Sequence, residues 1–219
     1  MGNRLRIQMR KFLAFLLAAI VVAGCGSTPS MSWREAAIQP HPWGYYTGAP
    51  ETRWNSDGRS MTLLRELRYI DPQGTVWIAP AGSIVDGASI PRSLWPFMGG
   101  PFEGKYRNAS VLHDVSYTER NRPPKDCDRM FYNAMRCSGV SALEAKTMYY
   151  ALLRFGWHWD FAIKRAKPVK IGRKLVARAE SAEPATAESE HEIQGAEDWI
   201  RKSDPSVQQI EQMAGTGIR

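Results

Sequence analysis

Two short stretches carry the residue types that do chemistry. His113-Asp114-Val115-Ser116-Tyr117 is followed, after a proline-containing break, by Cys127-Asp128-Arg129. On one helix His113 and Tyr117 share a face at i, i+4, while Asp114 points about a quarter-turn away. A second helix returning antiparallel would bring Asp128 opposite His113. A carboxylate on one imidazole nitrogen fixes the tautomer and makes the other nitrogen a better proton acceptor. Asp114 would then be left to hold a hard cation together with backbone carbonyls, since Ca²⁺ takes oxygen ligands. The same residues also make a plain structural arrangement, a buried His113–Asp128 pair locking two helices.

Other familiar sites are absent from the sequence. There is no P-loop, no GxGxxG and no HExxH. Ser89 lies in Gly87-Ala88-Ser89-Ile90-Pro91, which lacks the second glycine of a nucleophile elbow. A metal phosphohydrolase built on His113-Asp114 would need an upstream histidine, and His41 sits in a proline-rich stretch. Asp86-Gly87 reads as a tight turn more readily than as a ligand. His158, between Trp157 and Trp159, reads as core or rim packing, and His191 as a solvated residue of an acidic tail.

The elements that must position these residues follow from pattern. Residues 31–60 are rich in Pro, Gly, Trp and Tyr and show no helical period, which predicts irregular extended structure packed by aromatics. From Met61, MTLLRELRYI and TVWIAP flank Asp71-Pro72-Gln73-Gly74. Pro at the second turn position and Gly at the fourth predict a turn between two strands. The following stretch, Ala81 to Tyr106, suits a compact loop wall. Asn108 to Tyr117 then predicts a helix with Asn108 as N-cap. Asn121-Arg122-Pro123-Pro124-Lys125 breaks it. Asp126 to Arg136 predicts a second helix with an apolar stripe at Cys127, Phe131, Ala134 and Met135. Ser141-Ala142-Leu143-Glu144 is a capping box opening a third, which Gly156 stops. Strands followed by a block of helices predict an α+β fold: a small antiparallel β-hairpin or sheet, a three-helix block, and a mobile charged C-terminal tail.

Charge and cysteines bound the setting. The net charge is +7, with 43% hydrophobic and 23% charged residues. Arg4, Arg6, Arg10 and Lys11 are the charges of residues 1–24, so removing them from +7 leaves +3. That argues against a nucleic-acid partner. After Arg10-Lys11 comes an uncharged run, Phe12 to Gly24, too short to span a bilayer but the length of a signal-peptide core. It ends in Val22-Ala23-Gly24-Cys25, the pattern of a bacterial lipobox, where the Cys25 thiol is acylated and several acyl chains anchor stably. Gly26 is not the aspartate of an inner-membrane retention signal, which favours the outer membrane facing the periplasm. Cys127 and Cys137, about 15 Å apart along one helix, are predicted not to bridge.

Residues 164–178 hold seven Lys/Arg and no acid, and residues 180–198 hold seven Asp/Glu and no Lys/Arg. They predict a solvated, partly helical, mobile tail. The basic run could also touch anionic headgroups near the anchor. The resulting division is a signal peptide over 1–24 and a tether with an irregular aromatic and Pro-rich segment over 25–50. A globular α+β domain over 51–166 and a charged, largely flexible tail over 167–219 complete it.

Three motifs in order, VDGASIPRSLW (Val85–Trp95), RNASVLHDVSY (Arg107–Tyr117) and CDRMFYNAM (Cys127–Met135), resemble the phage- and prophage-associated family called domain of unknown function 1353. The similarity spans roughly residues 60–165 and brings no activity with it. Locally, HDxxY followed by a CDR helix is similar to secreted phospholipase A(2) enzymes. That resemblance implies a water-activating role for His113 and Ca²⁺ binding for Asp114. It implies a supporting network for Tyr117 and Asp128. Ser116 stands where those enzymes usually carry a disulfide cysteine, and Gly99-Gly100-Pro101-Phe102-Glu103-Gly104 only loosely matches their calcium loop. Together these features predict a membrane-anchored, phage-type accessory lipoprotein at the cell envelope, meeting an envelope protein or phospholipid. The alternative is a Ca²⁺-dependent, phospholipase-like hydrolase.

Overall fold

The computed structural model of the chain describes residues 31–87, 100, 102–161 and 186–216. Cys25, the signal peptide, the basic run and most of the VDGASIPRSLW motif lie outside these residues. The chain divides into two units, Met1–Ser32 and Trp33–Arg219. Every helix and strand of the described residues belongs to the second unit.

A short helix α1 (Trp33–Ala37) precedes six strands: β1 (Tyr45–Tyr46), β2 (Thr52–Trp54), β3 (Met61–Leu63), β4 (Leu67–Ile70), β5 (Val76–Ala79) and β6 (Ile84–Val85). They form two antiparallel three-stranded sheets, ordered β1-β4-β5 and β2-β3-β6. The run MTLLRELRYI is thus two strands in different sheets. Met61, Leu63, Arg65, Leu67 and Tyr69 share one parity, and four of them are buried. One unbroken strand would drive Arg65 inward with them, because alternate side chains face the same way. The break at Leu64–Glu66 instead leaves Arg65 in solvent, paired with Glu51 at 3.2 Å. The turn between β4 and β5 forms where Asp71-Pro72-Gln73-Gly74 predicts it. Asp71 Oδ1 accepts from the backbone N–H of Gln73 and Thr75, and its Oδ2 accepts from Trp77 Nε1. Gly74 takes φ +79°, a conformation that side chains strain to reach.

Residues 31–60 are more ordered than their composition suggests. Ala37 and Tyr46 belong to the core. Tyr46 pairs across to Tyr69, ring centroids 5.0 Å apart, and its hydroxyl donates to the Ala134 carbonyl at 2.9 Å. The Cys137 thiol lies 3.5 Å from the carbonyls of Ala37 and Gly44. This N-terminal strap therefore closes over the second long helix.

The predicted helix block is present as α2 (Arg107–Glu119), α3 (Pro124–Cys137) and α4 (Ala142–Phe155). Asn108 is not the cap of α2. Tyr106 holds that position, and Asn108 is buried in the first turn. Pro123 and Pro124 start α3, because a proline at the first helical position lacks only an N–H that would be unpaired anyway. Ser141 caps α4 by accepting from the Glu144 N–H at 3.1 Å. Cys127 and Cys137 are buried and unbridged, as their spacing requires.

The C-terminal stretch departs from a mobile tail. Residues 187–216 form α5 (Ala187–Ser203) and α6 (Val207–Thr216), both packed on α4. Ile193, Ala196 and Ile200 of α5 and Ile210 and Ala214 of α6 are buried. Their i, i+3, i+7 and i, i+4 spacing builds an apolar stripe inside an acidic segment, and that stripe holds the helices down.

Candidate functional site: a buried carboxylate shared by two histidines and a tyrosine

The first two long helices place His113, Tyr117 and Asp128 together. His113 and Tyr117, one turn apart on α2, lie with ring centroids 4.2 Å apart, and Phe131 of α3 packs on the imidazole at 4.9 Å. Asp128, in the first turns of α3, faces them. Its Oδ1 meets His113 Nε2 at 2.9 Å and accepts from the Tyr117 hydroxyl at 2.6 Å. His113 and Asp128 have no exposed surface.

The second carboxylate oxygen has a partner that the sequence did not announce. Asp128 Oδ2 meets His158 Nε2 at 3.0 Å. His158 follows α4, whose end is fixed by the Gly156 N–H donating to Leu152 O at 2.8 Å. Its side chain is 32% exposed, so Asp128 is linked to solvent through this one ring. Trp157 and Trp159 flank it, stacked at 5.7 Å, and Trp159 meets Tyr117 edge-on at 5.0 Å. The packing role read for the aromatic neighbours holds, but His158 does more than pack.

Electrostatics fix the protons. Burial alone would push the Asp128 carboxyl up. The hydrogen bonds from His113, His158 and the Tyr117 hydroxyl outweigh that, holding it below the usual carboxylate range. Asp128 is therefore an ionised, acceptor-only group, and each histidine must present N–H at Nε2 to it. In the neutral rings the lone pair then sits on Nδ1. Burial and the adjacent Asp128 charge push the Tyr117 phenol far up, so it stays a donor. Burial also raises both remaining thiols to about 12, which makes Cys127 and Cys137 poor nucleophiles.

Asp114 does not join this cluster. It is buried on the other side of α2, where its Oδ2 accepts from the Gly87 N–H at 2.6 Å. Gly87 has φ +69°, a backbone conformation that favours glycine, and its N–H is tied to the helix through Asp114. Calcium asks for six to eight oxygens. Among the described residues no group of three or more His, Cys, Asp or Glu gathers around a cation-sized space. In the candidate calcium loop the Gly100 carbonyl accepts from the Tyr106 hydroxyl and the Phe102 carbonyl from Arg107 Nε. The described residues therefore do not fit a calcium ion at Asp114.

A family model described as "Protein of unknown function (DUF1353)" matches residues 61–152. That interval contains His113, Tyr117 and Asp128 but stops short of His158. Two uncharacterised proteins of Sinorhizobium fredii (strain NBRC 101917 / NGR234) are similar. One, y4jT, is 34% identical over 182 residues, covering 78% of this chain and 52% of the relative. The other, y4iH, is 31% identical over 160 residues, covering 73% and 66%. The chain thus spans between half and two thirds of these relatives. No solved structure matches.

Proposed function

From a chain that resembles the DUF1353 family across residues 61–152, we propose an accessory lipoprotein of phage or prophage type, anchored at the cell envelope through acylated Cys25. The N-terminal run and its Val22-Ala23-Gly24-Cys25 ending support the anchor. One observation favours an accessory over a catalytic role for the first histidine. His113 and Asp128 are wholly sealed, so they tie α2 to α3 without meeting a partner molecule. A buried hydrogen-bonded pair of this kind specifies how helices dock. The domain then acts by what it presents to an envelope protein or to lipid. Feeding cells a clickable fatty acid tests the anchor. Wild type should take the label, and Cys25→Ser should persist as an unlabelled precursor. Equal labelling of both overturns the proposal.

A second reading, calcium-dependent lipid hydrolysis, is favoured by the contacts of Asp128 with His113 and Tyr117. The burial of His113 and the poor fit of calcium weigh against it. Fatty-acid release from phospholipid vesicles that requires calcium and disappears with chelator supports it. No release ends it.

A further inference from the structure

The geometry points to His158, not His113, as the residue that exchanges protons with solvent: we propose that it is the general base of a calcium-independent esterase site at the end of α4. Such a site rests on the hydrolytic chemistry of the second reading and changes both the residue and the metal requirement.

The sealed carboxylate and the exposed ring make the case. Asp128 touches no solvent, and His158 Nε2 lies 3.0 Å from it, so the exposed third of the side chain lies away from the carboxylate. The carboxylate fixes the Nε2–H tautomer and leaves the Nδ1 lone pair to receive a proton. His113 and Tyr117 hold the opposite oxygen, so Asp128 has no freedom to turn from His158. A base oriented by a third group that is itself immobilised is the arrangement hydrolytic sites use. Other charged groups near the ring are Asp160, two residues on, and Arg120, which caps α2 and lies 4.3 Å over the Trp157 ring.

The surroundings suggest the substrate class. Trp157 and Trp159 are half-buried around the imidazole, and Phe161 is exposed just beyond it. The Trp159 indole N–H is buried without an acceptor among the described residues. A buried donor left unmet is destabilising, so a bound oxygen there is favoured. Apolar rings beside a guanidinium fit an ester with a fatty acyl part and an anionic head. In the step, water gives its proton to His158 Nδ1 as its oxygen attacks the ester carbonyl carbon. The carbon–oxygen bond to the alcohol then breaks, and the departing alkoxide takes the proton back. A carboxylic acid and an alcohol result, with no change of oxidation state.

The test uses the full chain in detergent with phosphatidylglycerol vesicles, in calcium and in chelator, reading released fatty acid. We expect release in both, rising with pH as one group deprotonates. His158→Gln should lower it at least about 100-fold, since glutamine can still donate to Asp128 but cannot take a proton. Its melting temperature should stay at the wild-type value, which separates lost chemistry from lost fold. Asp128→Asn acts by positioning, so it should move the pH profile and shift the His158 ring out of the Nε2–H tautomer in ¹⁵N spectra. Release that needs calcium and survives His158→Gln overturns this inference and leaves the calcium-dependent reading standing. No release from folded wild type under either condition overturns both.

Discussion

Between α2 and α3 the polar contacts sit at the centre of the packing, and between α4 and the α5–α6 pair they sit at its edge. At the first interface one carboxylate with no exposed surface serves three side chains. At the second, Glu211 takes the Tyr149 hydroxyl of α4 and also reaches Lys125 and Arg129 of α3, each at 2.8 Å. Glu192 takes Arg154 and the Tyr150 hydroxyl, and Asp204 takes Lys146. These contacts ring an apolar seam of Ile193, Ile200 and Ile210. Both designs use hydrogen-bonded charge to join helices. They differ in what happens when a partner is lost. A donor orphaned in the interior cannot turn to water, whereas one at the rim can. The interior network therefore fixes a single arrangement, and the rim contacts refine one that apolar burial already sets.

The sharpest way to break this contrast is Asp128→Leu. It takes the shared acceptor away from the sealed His113 Nε2 and the Tyr117 hydroxyl, and each buried donor left unmet costs about 1–3 kcal/mol. For a chain of this size the melting temperature should fall by the order of 10 °C. A variant melting within about 2 °C of wild type would show that α2 and α3 do not depend on the network. The next effect belongs to the seam. Ile210→Ala should cost roughly 2–5 kcal/mol by lost burial and the cavity left behind, read by urea unfolding. Its neighbour gives the smallest change. Glu211→Gln should cost less than about 1 kcal/mol, and less again in high salt. If Glu211→Gln exceeded Ile210→Ala, the rim and not the seam would hold the C-terminal helices.

Acid sharpens the comparison without reversing it. Burial pushes Glu211 up, but the bonds from Lys125 and Tyr149 and the charge of Arg129 hold it low, as the network holds Asp128 low. A carboxyl lowered in the folded state lends stability in full above its unfolded pKa, about 4. That stability drains as pH falls through the lower folded value. Both interfaces should thus weaken below about pH 4, while 1 M salt should blunt only the Glu211 share.

Much of the helical framework was legible because its signals are local. The proline break before α3, the Ser141 cap and the i, i+4 pairing of His113 with Tyr117 depend on neighbours in the chain. The meeting of His113 with Asp128 followed from that geometry. The division of residues 61–70 between two sheets was not legible, since it turns on where Arg65 must point. The helices over 187–216 were hidden by their acids, although Ile193, Ala196 and Ile200 already carried the period. His158 was hidden more deeply. Its partner lies thirty residues upstream on another helix, and no pattern around Trp157-His158-Trp159 marks that contact.

The strap of residues 33–46 has a consequence for the order in which the molecule comes together. Tyr46 bonds to Ala134, 88 positions later, and the Cys137 thiol reaches back 100 positions to Ala37. A chain made from its N-terminus therefore exposes Trp33, Trp43, Tyr45 and Tyr46 long before α3 exists to receive them. Closing so long a loop costs little more entropy than closing a shorter one, because the cost grows only with the logarithm of length. It cannot close, however, until the far end has been synthesised, and distant contacts slow the search for the folded state. The first part of the domain to appear is thus among the last to find its place, and in the interval its aromatic rings are what a chaperone would grip.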